Sequence, residues 1–129
     1  MSDNYIMTVR AADPSGKFGE EVADEATFLS VPQASTNFDM TNQIQRDVWY
    51  QQVRDASRWK NDKGDDRGDI LFIVHGYNIS TAEALQRHNL LRNDLTGLGF
   101  RGVIVSFDRP THNEALAYLP DRHDAKLTA

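Results

Sequence analysis

Residues 69–78 read Asp-Ile-Leu-Phe-Ile-Val-His-Gly-Tyr-Asn. The five successive apolar residues from Ile70 to Val74 are too few to span a membrane. Their β-branched and aromatic bias predicts a central strand buried on both faces. The strand ends at His75-Gly76, and Ser80-Thr81-Ala82-Glu83 then has the order of a helix capping box. Helical spacing follows, with Ala84, His88, Leu91, Leu95 and Leu98 along one face. Gly97 and Gly99 supply residues that a helix stop prefers. Phe100 leads into Gly102-Val103-Ile104-Val105-Ser106-Phe107, a second strand of the buried type about one helix length after the first. Strand, helix and strand at this distance predict a βαβ unit with parallel strands. Asp108-Arg109-Pro110 ends the second strand at the same rim as His75. In open α/β sheets ligands bind beyond the carboxyl ends of the strands, so residues 75–78 and 108–110 are where chemistry is expected.

Toward the amino terminus, Tyr5 to Val9 alternates weakly and predicts a short edge strand, closed by the turn signal Asp13-Pro14-Ser15-Gly16. Gly19 to Asp24 is acidic. Ala26 to Val31 predicts a second strand, stopped by Pro32, which makes the start of the sheet antiparallel. Gln43 to Lys60 contains neither Gly nor Pro. Ile44, Val48 and Trp59, with Val53 and Ala56 on a neighbouring line, suggest a helix with one half-buried face. Asn61 to Gly68 carries too little apolar surface to fold onto anything and reads as a solvated connection. Its Asp62, Asp65 and Asp66 lack the order and the closing glutamate of a calcium loop. Thr111 to Pro120 reads as loop or frayed helix, and Asp121 to Ala129 as the start of a helix. The fold class is therefore α/β, a mostly parallel sheet with flanking helices and an antiparallel start.

At 129 residues with 40% apolar and 26% charged side chains, the chain has the composition of one globular domain. A net charge of −5 argues against a phosphate-backbone partner, which needs clustered Lys and Arg. With no cysteine there is neither disulfide nor thiolate chemistry. The first twelve residues lack both the basic start and the apolar core of a signal peptide. A cytoplasmic location, no membrane span and no nucleic-acid partner are the resulting expectations.

The run Ile70-Leu71-Phe72-Ile73-Val74-His75-Gly76-Tyr77-Asn78 with the helix after it resembles the first half of an α/β-hydrolase. Val103 to Pro110 looks like the next strand and its proline-bearing loop, and Tyr118 with Asp121 looks like the approach to the following helix. The nearest likeness is to an uncharacterised bacterial branch of esterase-like proteins, the domain-of-unknown-function-900 type. Members usually carry tryptophan before the proline, where this chain has Arg109. The resemblance implies that Ile70 to Val74 is the third strand and Val103 to Phe107 the fourth. A fifth should lead into a Gly-x-Ser-x-Gly nucleophile elbow, with an acid and a histidine later. No Gly-x-Ser-x-Gly occurs in the 129 residues. The expectation is a single incomplete α/β-hydrolase-like domain over 1–129. Residues 1–68 form its first strands and helix, and 69–129 form a strand-helix-strand core that ends before the elbow.

The function implied by the resemblance is acyl or ester hydrolysis by a serine hydrolase, with no cofactor and no metal. This chain would supply the oxyanion-hole loop and lack the triad. The backbone N–H groups of Gly76 or Tyr77 are the oxyanion-hole candidates, and His75 orients the loop. Tyr77, Asn78, Asp108 and Arg109 are the candidate substrate-binding residues, the substrate being a small acyl compound or ester. The 129 residues alone are expected to be inactive. The alternative is a non-catalytic α/β module for protein interaction, through self-association or pairing with a missing carboxyl-terminal half. His75, His88, His112 and His123 match no metal spacing, and His88 on an apolar helix face reads as a hydrogen-bonded core residue. Ser106 inside a strand pattern is expected to bond locally, and Asp108 to cap its loop.

Overall fold

The computed structural model describes residues 3–75 and 79–110. In chain order the elements are β1 (Asn4–Ala12), β2 (Phe18–Val31), a 3-10 turn (Met40–Asn42), α1 (Arg46–Ser57), β3 (Arg58–Lys60), β4 (Asp66–Gly68), β5 (Ile70–Val74), α2 (Thr81–Gly97) and β6 (Val103–Asp108). Four strands form one sheet in the order β2-β1-β6-β5, and β3 with β4 forms a separate hairpin. β1 pairs antiparallel with β2 and parallel with β6, and β6 is parallel to β5. The sheet is therefore mostly parallel with an antiparallel start, as the strand and turn signals predict.

Alternation along β1 divides the interior between two helices. On one face, Tyr5 packs with Trp49 and Val53 of α1 and with Val103 and Val105 of β6, and Phe28 and Met7 close around them. The Trp49 indole meets Tyr5 edge-on, with centroids 6.4 Å apart, and donates Nε1–H to the Leu29 carbonyl at 3.0 Å. On the opposite face, Ile6, Leu29 and Val31 pack with Ile79, Ala84 and Leu85 at the start of α2. Each of the Ile, Leu and Val side chains among them, fully buried, contributes roughly 1.5–3 kcal/mol.

Helix α2 is bounded at both ends as its sequence predicts. The Ser80 hydroxyl accepts from the Glu83 N–H at 3.1 Å, and the Glu83 carboxylate accepts from the Ser80 N–H at 3.4 Å. At the other end Gly99 has φ +99°. Its N–H reaches the Thr96 carbonyl at 3.1 Å, while the Phe100 N–H reaches Leu95 at 2.9 Å. This pair of bonds is a Schellman stop, which requires the left-handed residue that glycine provides.

Several expectations are corrected. Tyr5 to Val9 belongs to no edge: β1 runs to Ala12 and lies between β2 and β6, because both of its backbone edges find partners. The acidic stretch from Gly19 to Asp24 is part of β2, whose long hairpin arm reaches out into solvent. In α1 the buried line is Trp49, Val53 and Ser57, whereas Val48 is 42% exposed. The helix stops at Ser57, so Trp59 falls in β3 and its indole donates to Asp69 instead.

A further correction concerns β5. Among the described residues it pairs only with β6, at the margin of the sheet, and Phe72 and Val74 are 58% and 60% exposed. The apolar composition that predicts a two-sided burial is real, but α1 covers β1, β2 and β6 and does not extend over β5. Along α2 the stripe likewise narrows: Ala84, Leu85 and His88 are buried, while Leu98 is the C-cap and lies 84% exposed. Asn61 to Gly68 is solvated as expected, and its last three residues pair with β3.

Candidate active site at the carboxyl rim of the parallel strands

In the parallel registers Val74 stands beside Phe107 and Thr8 beside Asp108, so β5, β6 and β1 all end toward one rim. His75 extends β5 by one residue, its N–H bonding to the Phe107 carbonyl at 3.1 Å. That bond turns the His75 side chain to the α2 face, the face shared by Ser106 and Asp108 of β6 and by Thr8 and Arg10 of β1. The site is thus a row of polar side chains toward the carboxyl ends of these strands.

Two networks fill this row. In the first, His75 Nε2 lies 2.8 Å from Ser106 Oγ, and His88 Nδ1 lies 2.6 Å from the same oxygen. All three residues are buried. A hydroxyl has one proton to give, so at least one of the imidazoles presents an N–H to the oxygen. Burial pushes the His75 imidazole below its usual range, with Arg87 and Arg10 adding to the effect and Asp108 opposing it. Burial, assisted by Arg92 and by His75 itself, brings His88 down to about 4. Both rings are neutral at pH 7, held in chosen tautomers by a shared hydroxyl.

The second network centres on Asp108, whose carboxylate is fully buried. Its Oδ2 accepts from Thr8 Oγ1 at 2.7 Å and from Arg10 Nε at 2.8 Å. The same Thr8 oxygen accepts the Arg10 N–H at 3.1 Å. The rest of the Arg10 guanidinium goes to backbone carbonyls: Nη2 to Ile79 at 2.8 Å and to Arg109 at 3.3 Å, and Nη1 to Gly19 at 3.3 Å. A planar fork with five fixed donors suits this set, and a buried charge-assisted pair is among the stronger hydrogen bonds.

Of the residues singled out in the sequence, His75, His88, Ser106 and Asp108 are brought together. The reading of His88 as a hydrogen-bonded core histidine holds. The local bonding expected of Ser106 does not: its partners come from the segment after β5 and from α2, because position 106 faces the helix and not its own turn. Arg109 sits part-buried beside Asp108, and its carbonyl is one of the Arg10 acceptors. Gly76, Tyr77 and Asn78 lie outside the described residues, as do His112, Tyr118, Asp121 and His123. Sequence reasoning passed over Thr8 and Arg10. The available signal was a charged residue on the inward phase of a strand, which stands out only once that strand is known to be central.

Among the described residues no three His, Asp or Glu side chains are grouped to hold a metal ion. None of their helices is long and apolar enough to cross a membrane.

Neither a curated protein nor a solved structure matches the chain. A family described as an alpha/beta hydrolase of unknown function (DUF900) matches residues 53–129, more than half of the chain. That span takes in β5, α2 and β6, the unit whose parallel strands end at the rim with His75 and Asp108. The chain is accordingly a member of the DUF900 family of α/β-hydrolases.

Proposed function

We propose that the protein is a serine-dependent acyl hydrolase acting on a small ester or related acyl compound, and that these residues supply its oxyanion-hole loop. The observation that carries the reading is the position of His75, one residue beyond β5 and bonded to the end of the parallel neighbour β6, in a chain of an α/β-hydrolase family. In that architecture one oxyanion donor comes from the loop after the third strand and the other from the residue after the nucleophile. Gly76 and Tyr77 are the proposed backbone donors. His75 fixes the loop through Ser106, and Tyr77, Asn78, Asp108 and Arg109 border the substrate. Removing one such donor costs on the order of 3 kcal/mol in the transition state. The nucleophile, acid and histidine of the triad are proposed to lie outside these 129 residues.

A chromogenic short-chain ester assay tests this. Turnover is expected from a form of the protein that carries a serine elbow, and none above background from the 129 residues alone. Turnover by the 129 residues that survives Ser106→Ala and disappears with His75→Ala would overturn the assignment.

A second reading, a non-catalytic module that associates with its own kind, draws on the exposed apolar face that Ile70, Phe72 and Val74 present at the margin of the sheet. Unpaired strand margins and apolar patches favour association. Size-exclusion chromatography separates the two: a compact monomer with little dye-accessible apolar surface argues against it.

A further inference from the structure

The guanidinium of Arg10 is 3% exposed, and its acceptors lie far apart in the chain. Gly19 belongs to the first hairpin, Ile79 precedes α2, and Asp108 and Arg109 end and follow β6. Ile79 is also the first described residue beyond Gly76 to Asn78. One side chain from β1 therefore holds both a residue between β5 and α2 and the residue that follows β6.

Stability is a weak reason for such an arrangement. A buried ion pair is often no better than apolar side chains of the same volume, because desolvation offsets the Coulombic gain. Apolar replacements, however, have nothing to donate to the Ile79 and Arg109 carbonyls. Those bonds tie backbone to backbone through a rigid plane, and lysine, with one compact head group, could serve the Asp108 carboxylate or the carbonyls but not both at the same geometry. The arrangement has the character of a spacer.

We infer that Arg10 is a positioning residue: its guanidinium holds the carbonyls of Ile79 and Arg109 at one spacing across the Asp108 carboxylate, so that the rim keeps the geometry that acyl transfer requires. The inference rests on the acyl-hydrolase reading for the reaction served, and on the Arg10 geometry for the spacing. An error of about 1 Å introduced away from the reacting atoms can lower a rate by roughly a hundredfold.

The test compares wild type, Arg10→Lys and Arg10→Gln in the full-length protein, with p-nitrophenyl acetate as substrate, Asp108 being left in place in both variants. Rates are expressed per folded molecule. In both variants kcat is expected to fall by about tenfold to a hundredfold, with KM within about threefold, since the affected contacts act on the transition state. A folded variant of either kind with kcat within about twofold of wild type would overturn the inference.

A measurement on the wild type alone decides the matter if the variants fail to fold. The Arg10 guanidinium should give separate, slowly exchanging Nη signals in nitrogen-15 spectra. A single averaged signal would show that no fixed fork exists and would end the inference. Absence of ester turnover in the wild type would end the acyl-hydrolase reading instead, leaving the fork to be judged by those signals.

Discussion

His75 and His88 meet on a single hydroxyl, at 2.8 and 2.6 Å from Ser106 Oγ, although one follows β5 and the other lies two turns into α2. Both imidazoles have their folded pKa lowered, His88 to about 4. A depressed value means that the unfolded chain binds protons the folded one refuses. Stability is then complete above the unfolded value of 6.5 and is lost as pH falls toward 4. For His88 alone the loss amounts to about 3 kcal/mol across that window. Urea denaturation at pH 7.5 and pH 4.5 should show it. The His88→Gln variant is expected to be less stable at pH 7.5 and to have a visibly flatter pH dependence. An unchanged slope would contradict the buried neutral assignment.

Removing the hydroxyl between the rings should be costly out of proportion to its size. Ser106→Ala leaves two buried imidazole nitrogens facing a methyl group, and an unsatisfied buried polar group costs about 1–3 kcal/mol. Ser106→Thr keeps the oxygen and adds a methyl group in a tight strand position. Denaturant unfolding should place the threonine variant between wild type and alanine. In proton spectra, at least one ring N–H signal, that of the imidazole donating to Ser106 Oγ, should broaden through solvent exchange in Ser106→Ala and persist in Ser106→Thr.

Asp108 and Arg10 should behave as a unit. Asp108→Leu strands the guanidinium charge in the interior, for which roughly 3–5 kcal/mol is the usual penalty, whereas the Arg10→Met/Asp108→Leu double variant removes both charges. The double variant is expected to recover most of the loss, so that a double-mutant cycle gives a coupling of at least about 1 kcal/mol. Additive single effects would mean that the two side chains do not depend on each other.

Gly102 is predicted to tolerate no side chain. A Cβ at this position would stand 2.1 Å from the Asp69 carbonyl oxygen, the same oxygen that accepts the Val103 N–H at 2.9 Å and starts the pairing of β5 with β6. The obstacle is backbone, so it cannot rotate aside. Gly102→Ala should cost at least as much as an overpacked core substitution, about 1–3 kcal/mol, and should do so through the β5–β6 register. Thermal unfolding measures the loss, and protection of the Val103 and Val105 amides against hydrogen exchange shows where it falls. Full protection at those amides would rule this account out.

How much of this was legible in the residues differs from one element to another. Helix α2 could be read almost to the residue, because its capping box from Ser80 to Glu83 and its stop at Gly99 are made by groups within a few positions of one another. The pairing of β5 with β6 followed from two apolar runs one helix length apart. The membership in an α/β-hydrolase family was visible in Ile70 to Asn78. Trp49 was missed because a helix stripe read with Trp59 in it takes the wrong phase, and only the stop at Ser57 shows that Trp59 belongs elsewhere.

What the sequence by itself determined is therefore the set of local decisions: where chain direction reverses, where a helix is capped, which runs are apolar enough to become strands, and that the rim falls after His75 and Phe107. Tertiary structure alone decided that β1 is interior to the sheet, that Phe72 and Val74 face outward, and that Arg10 finds Asp108 across 98 positions of chain. The reason is physical. Caps and turns are settled by neighbours along the chain, whereas burial and ion pairing depend on which strand lies beside which, and that is settled only when the whole sheet forms.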